Sequence, residues 1–584
     1  DEVKTWAKAQ NQVTRSILDA DPKRETLVKE LRSLQVSGTA VRHSYAHAGG
    51  LVFARRDQAQ QPKPALVVFK DVRNLATEKV IVDLNLLDPT GKTDIDWYVP
   101  SPDGSLVAVS LSKNGSEDGT LFVYETATGK ALADVIPRVN QPTGLGAVAW
   151  EPNGKGFYYT RYPRAGERPT EDLNFYLQIY RHELGRPTSE DRYVLGKDFP
   201  RIAEIQGMQS TVDGWLLVHV QNGDGEEHAF HVMDPKGSWR QVASFTDGIR
   251  KAVLGNGKIF AISNNRAPKG KVVALDLPAN QVGVPFWRIV VPESVDSLKI
   301  IKLTENRIHA IYGVGGPLEL RAFDLQGRPV ASPGVPPVSM VYDLTPLQGD
   351  AVLFWISGYL RPMTAYLYDP SRAAARLVQT KLCDIPPFAA EADSEYEVVR
   401  AFAVSKDGTR VPLNILRKKG IRLDGSHPVL LTGYGGYGLS RLPWFKPANL
   451  LWLRHGGVWA EANLRGGGEF GAEWHRAGSL TRKQNVFDDF LACAQFLIDQ
   501  KYTTAKRLAI EGGSNGGLLM GAALTQRPDL FAAVVSHVGI YDMLRFELTP
   551  NGAFNTTEFG SVKDPEQFKA LHAYSPYHRV QDSV

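Results

Sequence analysis

The sequence predicts an all-β propeller of seven blades followed by a mostly parallel α/β sheet with helices on both faces. Three observations predict it. Between residues 36 and 382, short apolar β runs and polar turns recur with a period of roughly forty to fifty residues, the spacing of four-stranded blades. After Pro386-Pro387, strand-like and helix-like runs alternate instead, which is the pattern of a parallel sheet with helical crossovers. Within that second region, Gly512-Gly513-Ser514-Asn515-Gly516 joins a short apolar strand to a helix-forming run.

Residues 1–36 read as two helices broken at Asp21-Pro22. Trp6, Val13 and Ile17 share a face of the first, and Leu27, Leu31 and Leu34 a face of the second. An amphipathic pair has to dock, and the expected surface is the α/β domain. Residues 37–384 form the propeller. Its clearest unit, 97–129, gives a strand, the turn Pro102-Asp103-Gly104, a second strand, a polar loop and a third strand. The unit 147–185 repeats this with Pro152-Asn153-Gly154 at the turn, and further copies run over 41–82, 208–244, 252–277, 298–325 and 341–378. Two stacked β-sandwiches are the rival arrangement; equal spacing favours radial repetition.

Residues 385–584 form the α/β domain. An antiparallel pair, 396–404 and 410–416, precedes strands at 428–432, 458–463, 507–510 and 532–538, with helices over 486–500 and 517–525. Apolar content of 43% with 22% charged residues describes an ordinary soluble globular chain. A net charge of +4, spread without a basic block, argues against a nucleic-acid partner. No apolar run approaches the roughly 18 residues of a membrane span. Cys383 and Cys493 stand far apart, so neither a disulfide framework nor a metal cluster is expected, and no cofactor is implied. The chain opens on Asp1 without methionine, so processing or trimming leaves cytoplasm and periplasm both open.

Chemistry centres on Ser514. A Gly-x-Ser-x-Gly between strand and helix is a nucleophile elbow: the serine takes a strained turn and its hydroxyl stands clear of the sheet edge. The helix N-terminus behind it favours developing negative charge, with the Asn515 amide as one oxyanion donor. A second donor is expected from the loop 432–438, where glycines permit close approach and the Tyr434 hydroxyl can reach the site. The Gly-rich run 463–471 lacks the Lys-Ser/Thr pair of a phosphate cradle; Arg465 and Glu469 are expected to fix loops instead.

These motifs, with Trp474-His475, 483–490, Gln526-Arg527-Pro528-Asp529-Leu530-Phe531 and Tyr574-Ser575-Pro576-Tyr577, resemble the prolyl oligopeptidase family. The match covers the second domain densely, while the propeller matches in texture. The resemblance implies an α/β-hydrolase domain capped by a seven-bladed propeller. It makes Ser514 the nucleophile, and the Tyr434 hydroxyl with the Asn515 amide the oxyanion hole. Substrates would be short peptides cut after proline, the enzyme a monomer with no nucleic-acid or membrane partner. The pocket for the proline ring falls on Tyr437, Ile540 and Phe559. Where the family stacks a tryptophan on that ring, the run Pro550-Asn551-Gly552-Ala553-Phe554-Asn555 puts Asn555, with Phe554 as a substitute if the loop shifts by one.

A second departure concerns the triad. The hydrolase order Ser, Asp, His places acid and base on later strands, and beyond Ser514 the chain offers one further strand, a long loop and a helix over 565–572. Asp529 and Asp542 come too early, His537 reads as a core residue of its strand, and His572 and His578 follow no strand. The expectation is that the sequence is the retained portion of a longer chain. Two other readings stay open: a related hydrolase with acyl-peptide, basic-residue or ester specificity, or a non-catalytic binding protein if the chain ends at 584.

Overall fold

The computed structural model describes every residue except 36–39, 142–145, 278–284, 373–375, 550 and 583–584. The boundary read between helices and propeller at residue 36, and Pro550 of the pocket loop, therefore lie outside the described residues.

Seven four-stranded antiparallel sheets follow one another along the chain over residues 40–83, 93–140, 148–195, 203–243, 249–291, 297–330 and 339–379. Each is built from four consecutive strands, and the first strands of neighbouring sheets pack side by side around a central axis. Strand alternation explains the ring. In the strand Lys258–Ser263, Phe260 and Ile262 enter the core shared with the next sheet, whereas Ile259 and Ala261 enter the core shared with the previous one. Seven such cores fill the seven junctions, the last joining Tyr45 and Val52 of the first blade to Leu353 and Trp355 of the seventh. There the main chain adds a hydrogen bond from Arg42 N–H to Leu382 O at 3.1 Å.

The second domain carries one six-stranded sheet: β1 (Tyr396–Val404), β2 (Arg410–Lys418), β3 (Val429–Gly433), β4 (Val458–Ala462), β5 (Leu508–Gly513) and β6 (Ala533–His537). Its order is β1-β2-β4-β3-β5-β6, antiparallel at β1-β2-β4 and parallel from β4 to β6. Odd and even positions again divide. Val458, Ala460 and Ala462 of β4 join a core with the helices Gln484–Asp499 and Asn515–Gln526, while Trp459 faces the opposite core with Leu450 and Leu453.

The N-terminal helices depart from the expectation that both dock. Arg24–Gln35 lies on the second domain, burying Leu34 and pairing Glu30 with His455 at 2.9 Å. Glu2–Asp19 buries none of its residues, and Trp6 on its apolar face is 64% exposed. The apolar stripe is present, but among the described residues it meets no complementary surface. No helix is long and apolar enough to cross a membrane among the described residues.

Candidate active site

Ser514 stands between β5 and the helix Asn515–Gln526 with φ 58° and ψ −121°, a backbone that L-residues adopt only under constraint. Its amide donates to His537 O at 2.9 Å, which ties the turn to the edge strand β6. The flanking glycines are required by distance: a Cβ at Gly512 would sit 2.5 Å from Gly516 O, and one at Gly516 would sit 3.0 Å from Gly433 O. The Ser514 side chain is exposed. As the first helical residue, Asn515 has an N–H without an intrahelical partner, aimed where negative charge is favoured.

The loop after β3 closes over this turn. The Tyr434 hydroxyl faces the Ser514 hydroxyl, and burial raises its pKa above the ordinary phenol value, so it stays protonated and able to donate. The Asn515 side-chain amide donates to Tyr434 O, and a Cβ at Gly436 would meet that amide at 2.7 Å. Nucleophile, phenol and helix amide are therefore brought together.

The pocket residues separate into two groups. Tyr437, at φ 57°, packs edge-on against Phe559 at 5.8 Å, and both belong with Ile540 to the same end of the sheet core. The Tyr437 hydroxyl donates to Asn555 Oδ1 at 2.6 Å, so a polar pair stands beside the aromatic wall. Phe554 turns elsewhere: it stacks on Phe175 of the propeller at 5.1 Å, beneath the Arg201 guanidinium. That contact takes up the ring which the sequence offered as a substitute for the missing tryptophan.

Beneath the loop lies a set of charges that sequence reading missed. Glu558, beside Phe559, accepts from Lys483 at 2.7 Å and pairs with His475 Nε2 at 2.7 Å; Lys483 also donates to Gly435 O at 3.0 Å. All three are buried. His475 Nδ1 lies 2.9 Å from Glu226 of the propeller, off the hydrogen-bond line, so this contact is an ion pair. Burial alone would lower the His475 pKa, but Glu226 and Glu558 outweigh it and hold it at about 9. Burial would likewise raise Glu226, yet His475, Arg250 and Arg476 bring it down to about 2. Residues 75 and 83 positions apart carry no local signal of such a set. Arg465 acts as expected for a loop strut, bridging buried Asp489 at 2.6 Å to Asp407.

Among the described residues, no histidine or carboxylate hydrogen-bonds Ser514. His537 is exposed, 3.3 Å from Glu511, and not in the core, on β6, the outermost strand among the described residues. His578 bonds Ser575 at 2.9 Å, His572 stacks on Phe568, and Asp529 and Asp542 pair with Arg527 and Arg545.

A serine on a nucleophile elbow, faced by a phenol and roofed by a seven-bladed ring, defines a propeller-capped serine hydrolase. Residues 1–381 match the description "Prolyl oligopeptidase, N-terminal beta-propeller domain", and residues 443–584 match "Prolyl oligopeptidase family". The chain belongs to the prolyl oligopeptidase family. It is 28% identical to a prolyl endopeptidase of Elizabethkingia meningoseptica, over all of this chain and 80% of that protein. It is also 28% identical to a dual function macrocyclase-peptidase of Galerina marginata, over all of this chain and 82% of that one. A structure from a study of two prolyl endopeptidases superposes with a TM-score of 0.90 at 33% identity, covering all of this chain and 84% of that one.

Proposed function

We propose that this chain is the body of a serine oligopeptidase that hydrolyses short peptides on the carboxyl side of proline. The observation that carries the reading is the Ser514 hydroxyl, raised on its strained turn with the Tyr434 hydroxyl facing it. Ser514 Oγ attacks the scissile carbonyl, its proton passes to a base, and the carbonyl oxygen becomes an oxyanion held by the Tyr434 hydroxyl and the Asn515 N–H. The leaving amine takes up a proton as the C–N bond breaks, and water then releases the acyl group from Ser514. Tyr437, Ile540 and Phe559 hold the P1 ring. The relatives support this assignment by name, as prolyl endopeptidases and macrocyclase-peptidases. The propeller over the site admits flexible chains and turns away folded proteins, and the enzyme acts as a monomer.

The Tyr437–Asn555 pair relaxes the preference for proline. A stacked aromatic contributes about 0.5–1.5 kcal/mol beyond its area, and here a hydrogen-bonded amide stands in its place. Cleavage of a mixed peptide library by the full-length protein is expected to give proline first at P1, with small residues following within about tenfold. Absence of cleavage after proline would refute the specificity. A serine-directed phosphonate is expected to label Ser514, and an adduct mapped to any other residue refutes the mechanism.

A further inference from the structure

Between the propeller and the loops 438–442 and 468–471 lies a cavity of about 320 Å³, the size of one or two side chains with water. Its lining is unbalanced in charge. Arg250 and Lys251 come from the inner strand Ile249–Gly255, Lys299 from the inner strand Ser297–Leu303, and Lys269 from a nearby turn. Glu226 is the single carboxylate among the described lining residues, and it is already shared by His475, Arg476 and Arg250.

Lys251 and Lys302 are the informative pair. Both are exposed, yet protein surrounds them closely enough that burial lowers their pKa values, with the Asp343 carboxylate working against that lowering at Lys302. Neither makes an ion pair or a hydrogen bond among the described residues, and Lys302 and Arg250 add to the lowering at Lys251. Like charges held together in a concave, low-dielectric space concentrate a positive field and favour an anion. Gly438 and His475 line the same cavity; Gly438 follows Tyr437 in the chain and His475 pairs with Glu558, the neighbour of Phe559, so the lining adjoins residues of the P1 wall.

We propose that this cavity binds a carboxylate of the peptide substrate, either an acidic side chain or the free C-terminus, through Lys251, with Arg250, Lys269 and Lys299 lining it and Lys302 adding positive charge from just outside the lining. The proposal rests on the peptidase reading. The enzyme then selects acidic peptides, and the propeller acts as a specificity element as well as a roof.

The test is equilibrium binding to full-length protein carrying Ser514→Ala. Labelled proline peptides are compared in three versions: with Glu, with Gln in its place, and with a C-terminal amide. The carboxylate-bearing version is expected to bind about tenfold more tightly than its isosteric amide at low salt. The preference should shrink at ~0.5 M salt and vanish in Lys251→Gln/Lys302→Gln. Loss of preference on Glu→Gln identifies an acidic side chain, and loss on amidation identifies the C-terminus. Equal binding of all three versions, or a preference that survives the double variant, overturns the proposal. Turnover of the same peptides by unaltered protein reads the peptidase assignment separately: no cleavage alongside a persistent carboxylate preference refutes that assignment and leaves the site standing. Both lysines are exposed and make no hydrogen bond or close ion pair among the described residues, so the double variant is expected to fold as the parent does, and an unchanged Tm checks this.

Discussion

The two flanks of Ser514 are built differently. On one side the loop bearing Tyr434 and Tyr437 rests on Glu558, Lys483 and His475, all buried and mutually bonded, and is tied through Glu226 to the propeller. On the other side, among the described residues, β6 is the outermost strand, with Val535 and Val538 exposed and His537 beside Glu511. The difference teaches that the loop on the oxyanion-binding side is preorganised by buried charges that find their partners within the described residues. Removing water from the first flank makes each hydrogen bond there stronger and each orphaned charge more costly.

The sharpest way to break this comparison is Ser514→Ala in the full-length enzyme. Turnover of a proline peptide should fall on the order of 10⁶-fold with folding intact, and residual activity near the parent level would place the nucleophile elsewhere. Next is Glu558→Gln, which orphans Lys483 and uncouples His475. Chemical denaturation should report a loss of about 3–5 kcal/mol, and a loss below about 1 kcal/mol would show the buried flank to be loosely held. Tyr434→Phe should lower kcat by about 10²–10³ while binding of uncleaved peptide stays unchanged; an unchanged kcat removes Tyr434 from the oxyanion hole.

The most gradual effect is a pH dependence. His475 is raised from 6.5 to about 9 in the folded chain, so its contribution is complete below pH 6.5 and disappears as pH rises through 9. Stability should decline by up to about 1.4 kcal/mol per pH unit across that window. Glu226 has the opposite sign: lowered from 4.5 to about 2, it contributes fully above pH 4.5 and loses that contribution as pH falls towards 2. Denaturant midpoints across pH 6–10 test the first part, since a flat profile would mean that His475 is not charged between its two carboxylates.

Much of this was legible along the chain because it is written locally. Alternating apolar residues between turns such as Pro102-Asp103-Gly104 record which side chains face a core, and repeating that record at even spacing yields the ring of sheets. The elbow is equally local: its sterics need Gly512 and Gly516 within two residues of Ser514. The supporting charges are not local. Lys483, His475 and Glu558 meet only once the sheet is folded, and Glu226 joins them from a propeller turn. Phe554 shows the same limit: its neighbour in sequence is the pocket residue Asn555, and its ring stacks across the domain boundary on Phe175. The first helix shows the limit of periodicity, which identifies an apolar face but not the partner that covers it.

Each propeller strand hands alternate side chains to the sheets on its left and right, as Phe260 and Ile259 do. No blade therefore owns its interior. Cutting one out would leave two mismatched halves of other blades' cores facing each other, so the roof over Ser514 stands or melts as a single cooperative body.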